Sequence, residues 1–348
     1  MKYINNILIH GDNIHALEYL LKEKGLKGRV DLVYIDPPFA TNENFTITAG
    51  RASTISRARK GDLAYADKLL GQDFVQYIRQ RIVLLRELLS ANGSLYLHTD
   101  YKIGHYLKVM MDDVFGIKNF RNDITRIKCS PKNFDRVGYG NIKDMILFYS
   151  KGGNPIWNEP REGYTKEDIA RLFPKIDANG RRYTTVPIHA PGETISSQKF
   201  HGLLPPVGRH WRTDVKILEQ WDKDGLIEWS KNGNPRKKIF AAEKNGKRVQ
   251  DVWTGFKDPM YPTYPTEKNE SMIDRIIQTS SRKNSIVLDC FCGSGTTLSS
   301  ASRNGRRWIG VDSSEVAIKA VKKRLGLGNT LNLMPVEIIE LSEGMPSR

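Results

Sequence analysis

Over residues 1–150 short apolar runs alternate with longer stretches of helical spacing, and the same alternation returns over residues 265–348. NILIH at 6–10 reads as a strand, and Ile14, Leu17, Leu20 and Leu21 fall on one face of a helix over residues 14–24. Val30, Leu32, Val33, Tyr34 and Ile35 then form a β-branched and large apolar run, which predicts a buried strand. From Asp73, the residues Phe74, Ile78, Ile82, Leu85 and Leu89 recur at helical spacing, with Asn92-Gly93 as the expected helix stop. GSLYLHTD at 93–100 predicts a strand whose His98 and Asp100 read as structural; a helix from His105 to Phe115 and a strand over 144–150 follow. In the last part a helix near 271–280, strand SIVLDCF, turn CGSG, a helix from Thr296, strand RWIGVD and a helix from Ser314 succeed one another. Such alternation predicts an α/β fold with a mostly parallel, doubly wound sheet. Between the two parts, residues 151–264 hold no sustained periodicity. One α/β domain is therefore expected, in halves 1–150 and 265–348, split by an irregular, partly β insertion at 151–264.

Charge changes the picture of that insertion. The chain has 54 Lys and Arg against 39 Asp and Glu, a net charge of +15, and an excess of this size points to a polyanionic partner. Residues 231–248 contain seven basic residues and one acid, with aromatics nearby, a composition suited to phosphates and bases. Arg209, His210, Trp211, Arg236, Lys237 and Lys238 are the candidate nucleic-acid contacts there, and Arg57, Arg59 and Lys60 in a basic loop that lacks acids over 51–60. A solvated charged surface is the alternative for both stretches. No run of about 18 apolar residues occurs, so a soluble, unsecreted protein is expected. Cys129, Cys290 and Cys292 are too few and too closely spaced for a disulfide framework or a zinc site.

Two places carry candidate chemistry. The strand at 30–35 runs into Asp36-Pro37-Pro38-Phe39, where two residues without N–H end the ladder and leave a carboxylate, free carbonyls and a ring at a stiff corner. As a turn the tetrapeptide needs no function. The second place is the strand-to-helix turn after Asp289. Gly293 and Gly295 allow close approach of a ligand to the backbone, while Ser294, Thr296 and Thr297 offer donors at the helix start. Asp312 ends the next strand, where an acid accepts ribose hydroxyls, and the third glycine of a dinucleotide fingerprint is lacking. A nucleoside cofactor without a pyrophosphate follows.

DCFCGSGTT resembles the S-adenosylmethionine loop, and DPPF the catalytic tetrapeptide, of DNA amino-methyltransferases. Their order, with the catalytic motif first, is similar to the permuted beta group of that family. HGDNIHAL, GSLYLHTDYKIGHYLKVMMDDVFG, KDMILFYSK, YPTEKNESMIDRI and WIGVDSS look like its flanking motifs, so the resemblance spans nearly the whole chain. One departure is Asn269, which follows Lys268 where the family usually has proline. The resemblance implies a Rossmann-like methyltransferase sheet and S-adenosyl-L-methionine as cofactor. It implies that Asp12, Asp36 and Lys268 border the cofactor, that Asp289 and Asp312 orient it, and that Phe291, Cys292 and the rest of the turn through Thr297 belong to its loop. Residues 151–264 would read the sequence of double-stranded DNA. A cognate restriction endonuclease and a homodimer come with it as expected partners, in the cytoplasm of a bacterium or phage host at the nucleoid.

Such an enzyme would give the corner a purpose. An adenine amino group is a poor nucleophile; Asp36 accepting one N–H and the Pro37 carbonyl the other would aim its lone pair at the methyl donor. Phe39 would stack on a base flipped out of the duplex. An initial Asp in the tetrapeptide is associated within the resemblance with adenine. The same chemistry on cytosine stays open, as do RNA or protein amide substrates, against which the basic insertion argues. A catalytically silent DNA-binding subunit is opposed by the intact corner and loop.

Overall fold

The computed structural model describes residues 5–38, 71–131, 135, 137–192, 198–259, 268–327 and 335–341, together with the backbone of three short strands within 44–66. In chain order the elements are β1 (Asn6–His10), α1 (Asn13–Lys22), β2 (Val30–Ile35), β3 (Asn44–Thr48), β4 (Arg51–Ser53), β5 (Asp62–Ala66), α2 (Gly71–Leu88), β6 (Leu89–Thr99), α3 (Gly104–Phe115), β7 (Phe120–Ile127) and β8 (Lys143–Ser150). There follow β9 (Arg161–Glu162), α4 (Lys166–Leu172), β10 (Lys175–Ile176), β11 (Arg182–Pro187), β12 (His189–Pro191), β13 (Arg209–Trp211), α5 (Val215–Lys223), β14 (Ile227–Trp229), β15 (Pro235–Phe240) and β16 (Lys247–Arg248). The chain closes with β17 (Val252–Trp253), α6 (Glu270–Ser280), β18 (Ile286–Asp289), α7 (Thr296–Arg303), β19 (Arg307–Asp312), α8 (Glu315–Arg324) and β20 (Val336–Glu340).

The expected sheet is present. Nine strands lie in the order β17-β7-β8-β6-β2-β18-β19-β1-β20, and all neighbours run parallel except at β8, which is antiparallel to both β7 and β6. Central strands such as β2 are buried on both faces, which explains their continuous apolar runs. Val33, Ile35, Leu95 and Leu97 share one core with Leu17 and Leu20 of α1, Phe74, Ile78 and Ile82 of α2, and Leu107 and Met111 of α3. Each such side chain contributes about 1.5–3 kcal/mol on burial. The opposite face meets α6, where the Tyr96 hydroxyl lies 2.7 Å from Ser280 Oγ. Asn92-Gly93 does not stop a helix: α2 ends at Leu88 and Gly93 sits inside β6. A Cβ on Gly93 would come within 2.9 Å of the Val30 carbonyl, and the β2–β6 register shifts between Val30 and Leu32, so the dipeptide marks a bulge.

The insertion is narrower than residues 151–264. Its compact unit is Arg161–Val249. Residues on either side belong to the sheet unit: Ile156 N–H donates to the Asn92 carbonyl, and β17 pairs with β7 as the edge strand. Arg161–Val249 is also more regular than expected, with an antiparallel sheet in the order β10-β11-β15-β14. Its own core gathers Ile188, Phe200, Trp211, Val215, Leu218 and Ile227.

Candidate active site and cofactor cradle

Four adjacent parallel strands, β2, β18, β19 and β1, end on the same edge of the sheet. Asp36, Asp289, Asp312 and Asp12 stand at those ends or one turn beyond. From β2 the chain continues to β6 on one side, and from β18 to β19 on the other, so the strand order reverses between them. Open α/β sheets bind ligands at such a reversal.

The turn after β18 is held by its own backbone. Asp289 Oδ1 accepts from Phe291 N–H at 3.0 Å, Cys292 N–H donates to the Val311 carbonyl at 3.1 Å, and Gly293 N–H donates to Asp312 Oδ2 at 2.9 Å. Gly295 caps α7 in the left-handed region at φ 78°, where a Cβ would also stand 3.0 Å from Val321. Asp312 Oδ1 accepts from Ser314 N–H at 2.9 Å. Burial pushes the Asp289 carboxyl up to about 7 against its bonds to Thr297 and Phe291, and raises Asp312 also. Two hydroxyls assigned to the ligand are engaged within the fold: Thr296 accepts from Arg324 at 2.6 Å, and Thr297 bonds to Asp289. They shape the turn. Phe291 packs against Tyr77 with ring centroids 6.4 Å apart, while Cys292 is buried and burial lifts its thiol well above the ordinary value. Asp12 caps α1, its Oδ1 accepting from Ile14 N–H at 2.8 Å, and Asn13 beside it donates to the Cys290 carbonyl at 3.2 Å.

At the corner, Asp36 Oδ2 forms an ion pair with Lys268 Nζ at 2.6 Å. Its Oδ1 is buried and has no hydrogen-bond partner among the described residues. Leaving a buried acceptor unmade costs about 1–3 kcal/mol, and such orphans gather where a ligand completes the set. Lys268, expected beside the cofactor, thus stands at the Asp36 carboxylate. Asn269 fills the place of the usual proline by capping α6, accepting from Met272 N–H at 3.2 Å. Phe39 lies outside the described residues. Beneath the corner is a cluster that sequence reading treated as structural or did not single out. His98 is fully buried, with Nδ1 2.8 Å from the Tyr34 hydroxyl, Nε2 3.2 Å from Asp144 Oδ2 and Nδ1 3.9 Å from Asp36 Oδ1. Arg126 NH1 and Lys128 Nζ reach Asp144 at 3.3 and 2.7 Å. The available signal was register, since Ile35 pairs with Leu97 and so sets Asp36 level with His98.

The model of the DNA methylase family, whose name joins N6 and N4, matches residues 30–323. The chain belongs to the DNA methylase family. It is 43% identical to the type II methyltransferase M2.LlaDCHI of Lactococcus lactis subsp. cremoris, over 94% of this chain and 92% of that one. It is 39% identical to the type II methyltransferase M.EcaI of Enterobacter cloacae, over 93% and 70%. The crystal structure of the M1.HpyAVI-SAM complex shares the fold at a TM-score of 0.51 and 17% identity, covering 92% of this chain and all of that one. The sheet is therefore the Rossmann-like methyltransferase sheet, and S-adenosylmethionine is the methyl donor of this DNA methyltransferase.

The residues present fit that donor. Asp312 accepts from the backbone N–H groups of Ser314, Gly293 and Ser313, and a carboxylate with about four acceptor sites keeps capacity for a ribose hydroxyl. Gly293 and Gly295 keep the turn clear of side chains at the start of α7. Asp289 acts through the turn and not on its surface, being 3% exposed. Its raised carboxyl has a consequence for stability. The folded state holds a proton that the unfolded state releases between the ordinary 3.8 and about 7, so stability falls as pH rises through that window. The full shift corresponds to at most about 4 kcal/mol, at about 1.4 kcal/mol per unit. Thermal denaturation of the protein without ligand should show Tm decreasing from pH 5 to 8, with a clearly flatter slope in Asp289→Asn; equal slopes would contradict the assignment.

The candidate DNA contacts fare unevenly. Trp211 is not a stacking surface: it is 7% exposed within the small core, and its indole N–H donates to the Gln198 carbonyl. Alternation along β15 sends Arg236 and Lys238 to the face opposite Lys237, so the three do not form one patch. Arg236 is bonded to Thr185 Oγ1 and carbonyl, Lys237 lies 3.4 Å over the Trp221 ring, and Lys238 donates to the Gly225 carbonyl. Arg209 and His210 stay near the surface of the β12–β13 ribbon, contacting His189 Nδ1 and the Gly192 carbonyl. Arg57, Arg59 and Lys60 lie outside the described residues. Among the described residues no helix is long and apolar enough to cross a membrane.

Proposed function

We propose that the protein methylates the N6 amino group of adenine at one specific sequence of duplex DNA, with the target base flipped out of the helix. The observation that carries this reading is Asp36 Oδ1, a buried acceptor without a partner beside the cofactor turn. Oδ1 takes one N–H of the amine, and the Pro37 carbonyl takes the other; Pro38 brings no N–H that could occupy the corner. Lys268 fixes the carboxylate through Oδ2. S-adenosylmethionine, when bound, supplies the electrophilic methyl. As positive charge develops on the attacking nitrogen, the Asp36 carboxylate stabilises it more than it stabilised the neutral amine. An amine inside stacked DNA cannot reach this corner, which supports flipping. Adenine is favoured over cytosine by the Asp that begins the tetrapeptide. Relatives named type II methyltransferases support a role in restriction and modification, with a cognate endonuclease cutting the same sequence when it is unmethylated.

Expression in a methylation-deficient host, followed by single-molecule sequencing that detects modified bases, should reveal methyladenine at nearly every copy of one short motif. Scattered modification without a motif would remove the site-specific part of the reading. Contacts from the basic chain to phosphates also predict a steep salt response. If about six phosphates are engaged, DNA affinity falls roughly 10³-fold between 50 and 200 mM salt. A flat response by fluorescence anisotropy would remove the assignment of the cations to the DNA backbone.

A further inference from the structure

Asp36 Oδ1 is an acceptor left unpaired although a histidine ring nitrogen lies 3.9 Å away. An imidazolium there would have to close by about 0.7–1.2 Å to donate to it. The surroundings of His98 bear on whether it does. Asp144 stands at Nε2, and against the upward push of burial its hydrogen bond to His98 and then the Lys128 ammonium hold its carboxyl well below the usual range. Such a carboxylate only accepts, so Nε2 must carry the proton. On the other side, burial keeps the Tyr34 phenol protonated, and its hydroxyl donates to Nδ1 at 2.8 Å. Both ring nitrogens are therefore committed, and the nitrogen facing Asp36 presents a lone pair.

We propose that His98, fixed as its neutral Nε2–H tautomer between Asp144 and Tyr34, is a positioning residue that keeps Asp36 Oδ1 unpaired for the target amine. The proposal rests on the acceptor role given to Asp36 above. Among the described residues, the charged and titratable groups around His98 have these parts in it. On β2 and its end, Tyr34 supplies the donor and Asp36 the acceptor; β7 and the residue after it bring Arg126 and Lys128 to Asp144 of β8; Lys268, ahead of α6, pairs with Asp36 Oδ2. Asp289 of β18 acts on Tyr34 at longer range. Asp36 and Asp144 favour a proton on the ring, whereas Lys268 and above all burial oppose it, and burial prevails. When acid finally protonates Nδ1, the imidazolium turns its N–H to Asp36 and occupies the acceptor. Methyl transfer is then lost at a pH below the ordinary imidazole value of 6.5.

Two readouts test this. In ¹⁵N-histidine-labelled protein at pH 7, the ring that disappears in His98→Gln should show a protonated Nε2 and an unprotonated Nδ1; an imidazolium pattern would overturn the proposal. In single-turnover methylation of duplex DNA, wild-type kcat should fall toward acid in step with the titration of that ring. His98→Gln should lower kcat roughly tenfold to a hundredfold, the scale on which groups supporting a reactive side chain act, leave KM for S-adenosylmethionine within about twofold of wild type, and lose the acid limb. A variant that keeps the wild-type limb would assign His98 a merely structural role. Should His98→Gln fail to fold, Tyr34→Phe decides: removing the hydroxyl eases protonation of Nδ1, so the limb must move to higher pH, and an unmoved limb overturns the proposal. Asp36→Asn separates the two readings, because activity in that variant would remove the acceptor role itself while the tautomer of His98 remained as measured.

Discussion

Asp36→Ala abolishes methyl transfer, by about 10³-fold or more, the scale on which a charge-stabilising group acts at a reacting centre, while binding of S-adenosylmethionine stays within about threefold of wild type. The asymmetry follows from where the residues stand. Asp36 ends β2, whereas the turn from Asp289 to Thr297 and the Asp312 carboxylate belong to β18, α7 and β19, held by bonds in which Asp36 takes no part. Truncation also leaves Lys268, 9% exposed, without the carboxylate it pairs with, and a broken buried pair costs about 3–5 kcal/mol. Asp36→Asn preserves shape and one acceptor but removes the charge, and should still lose more than about a hundredfold. Single-turnover methylation with isothermal titration of the cofactor checks both variants. Retention of more than a few per cent of activity in Asp36→Ala would eliminate the acceptor mechanism, and loss of cofactor binding in Asp36→Asn would move the residue into the cradle.

The second large effect is on stability. Arg126 is fully buried, with Nε donating to the Phe256 carbonyl at 2.8 Å, NH1 to Asp144 at 3.3 Å and NH2 to Asp258. Arg126→Ala strands that carbonyl and removes one of the two cations on Asp144, so it should destabilise the protein by about 3–5 kcal/mol, the range for removing one member of a buried ion pair. For a unit of this size that lowers Tm by roughly 6–20 °C, at about 2–4 °C per kcal/mol. Arg126→Lys restores the charge without the fork that spans three partners, and should fall between. Urea midpoints of the two variants and wild type check the order; a change below about 0.5 kcal/mol in Arg126→Ala would show that the network is solvated in solution.

Much of this arrangement was legible in the chain. Continuous apolar runs at 30–35 and 286–288 could only be strands covered on both faces, and helical spacing between them fixed the crossover connections. Asp36 and Asp312 were found because each ends such a run. His98 was passed over because a lone histidine at a strand end carries no local signal; its meaning comes from Tyr34, Arg126 and Asp144 on three other strands, which only the register brings together. Trp211 was misplaced for a related reason. An aromatic flanked by Arg209, His210 and Arg212 reads as part of a basic surface, yet alternation on a three-residue strand turns it into a core. The Arg161–Val249 unit hid its regularity in strands of two to six residues, too short for a period to show. Thr296 and Thr297 looked like ligand donors because a glycine turn precedes them; packing gives the Thr297 hydroxyl to Asp289, whereas Thr296 accepts from Arg324 and keeps its O–H to donate.

The central claim is methyl transfer to an adenine amine through Asp36. Its most direct test is incubation of the purified protein with duplex DNA that contains the target motif and with S-adenosylmethionine carrying a deuterated methyl, then digestion to nucleosides and mass spectrometry, with Asp36→Ala in parallel. Labelled N6-methyladenine from the wild type and none from the variant is the predicted result. Labelled N4-methylcytosine would contradict the base assignment while keeping the corner's chemistry, and labelled adenine from both proteins would contradict the role of Asp36.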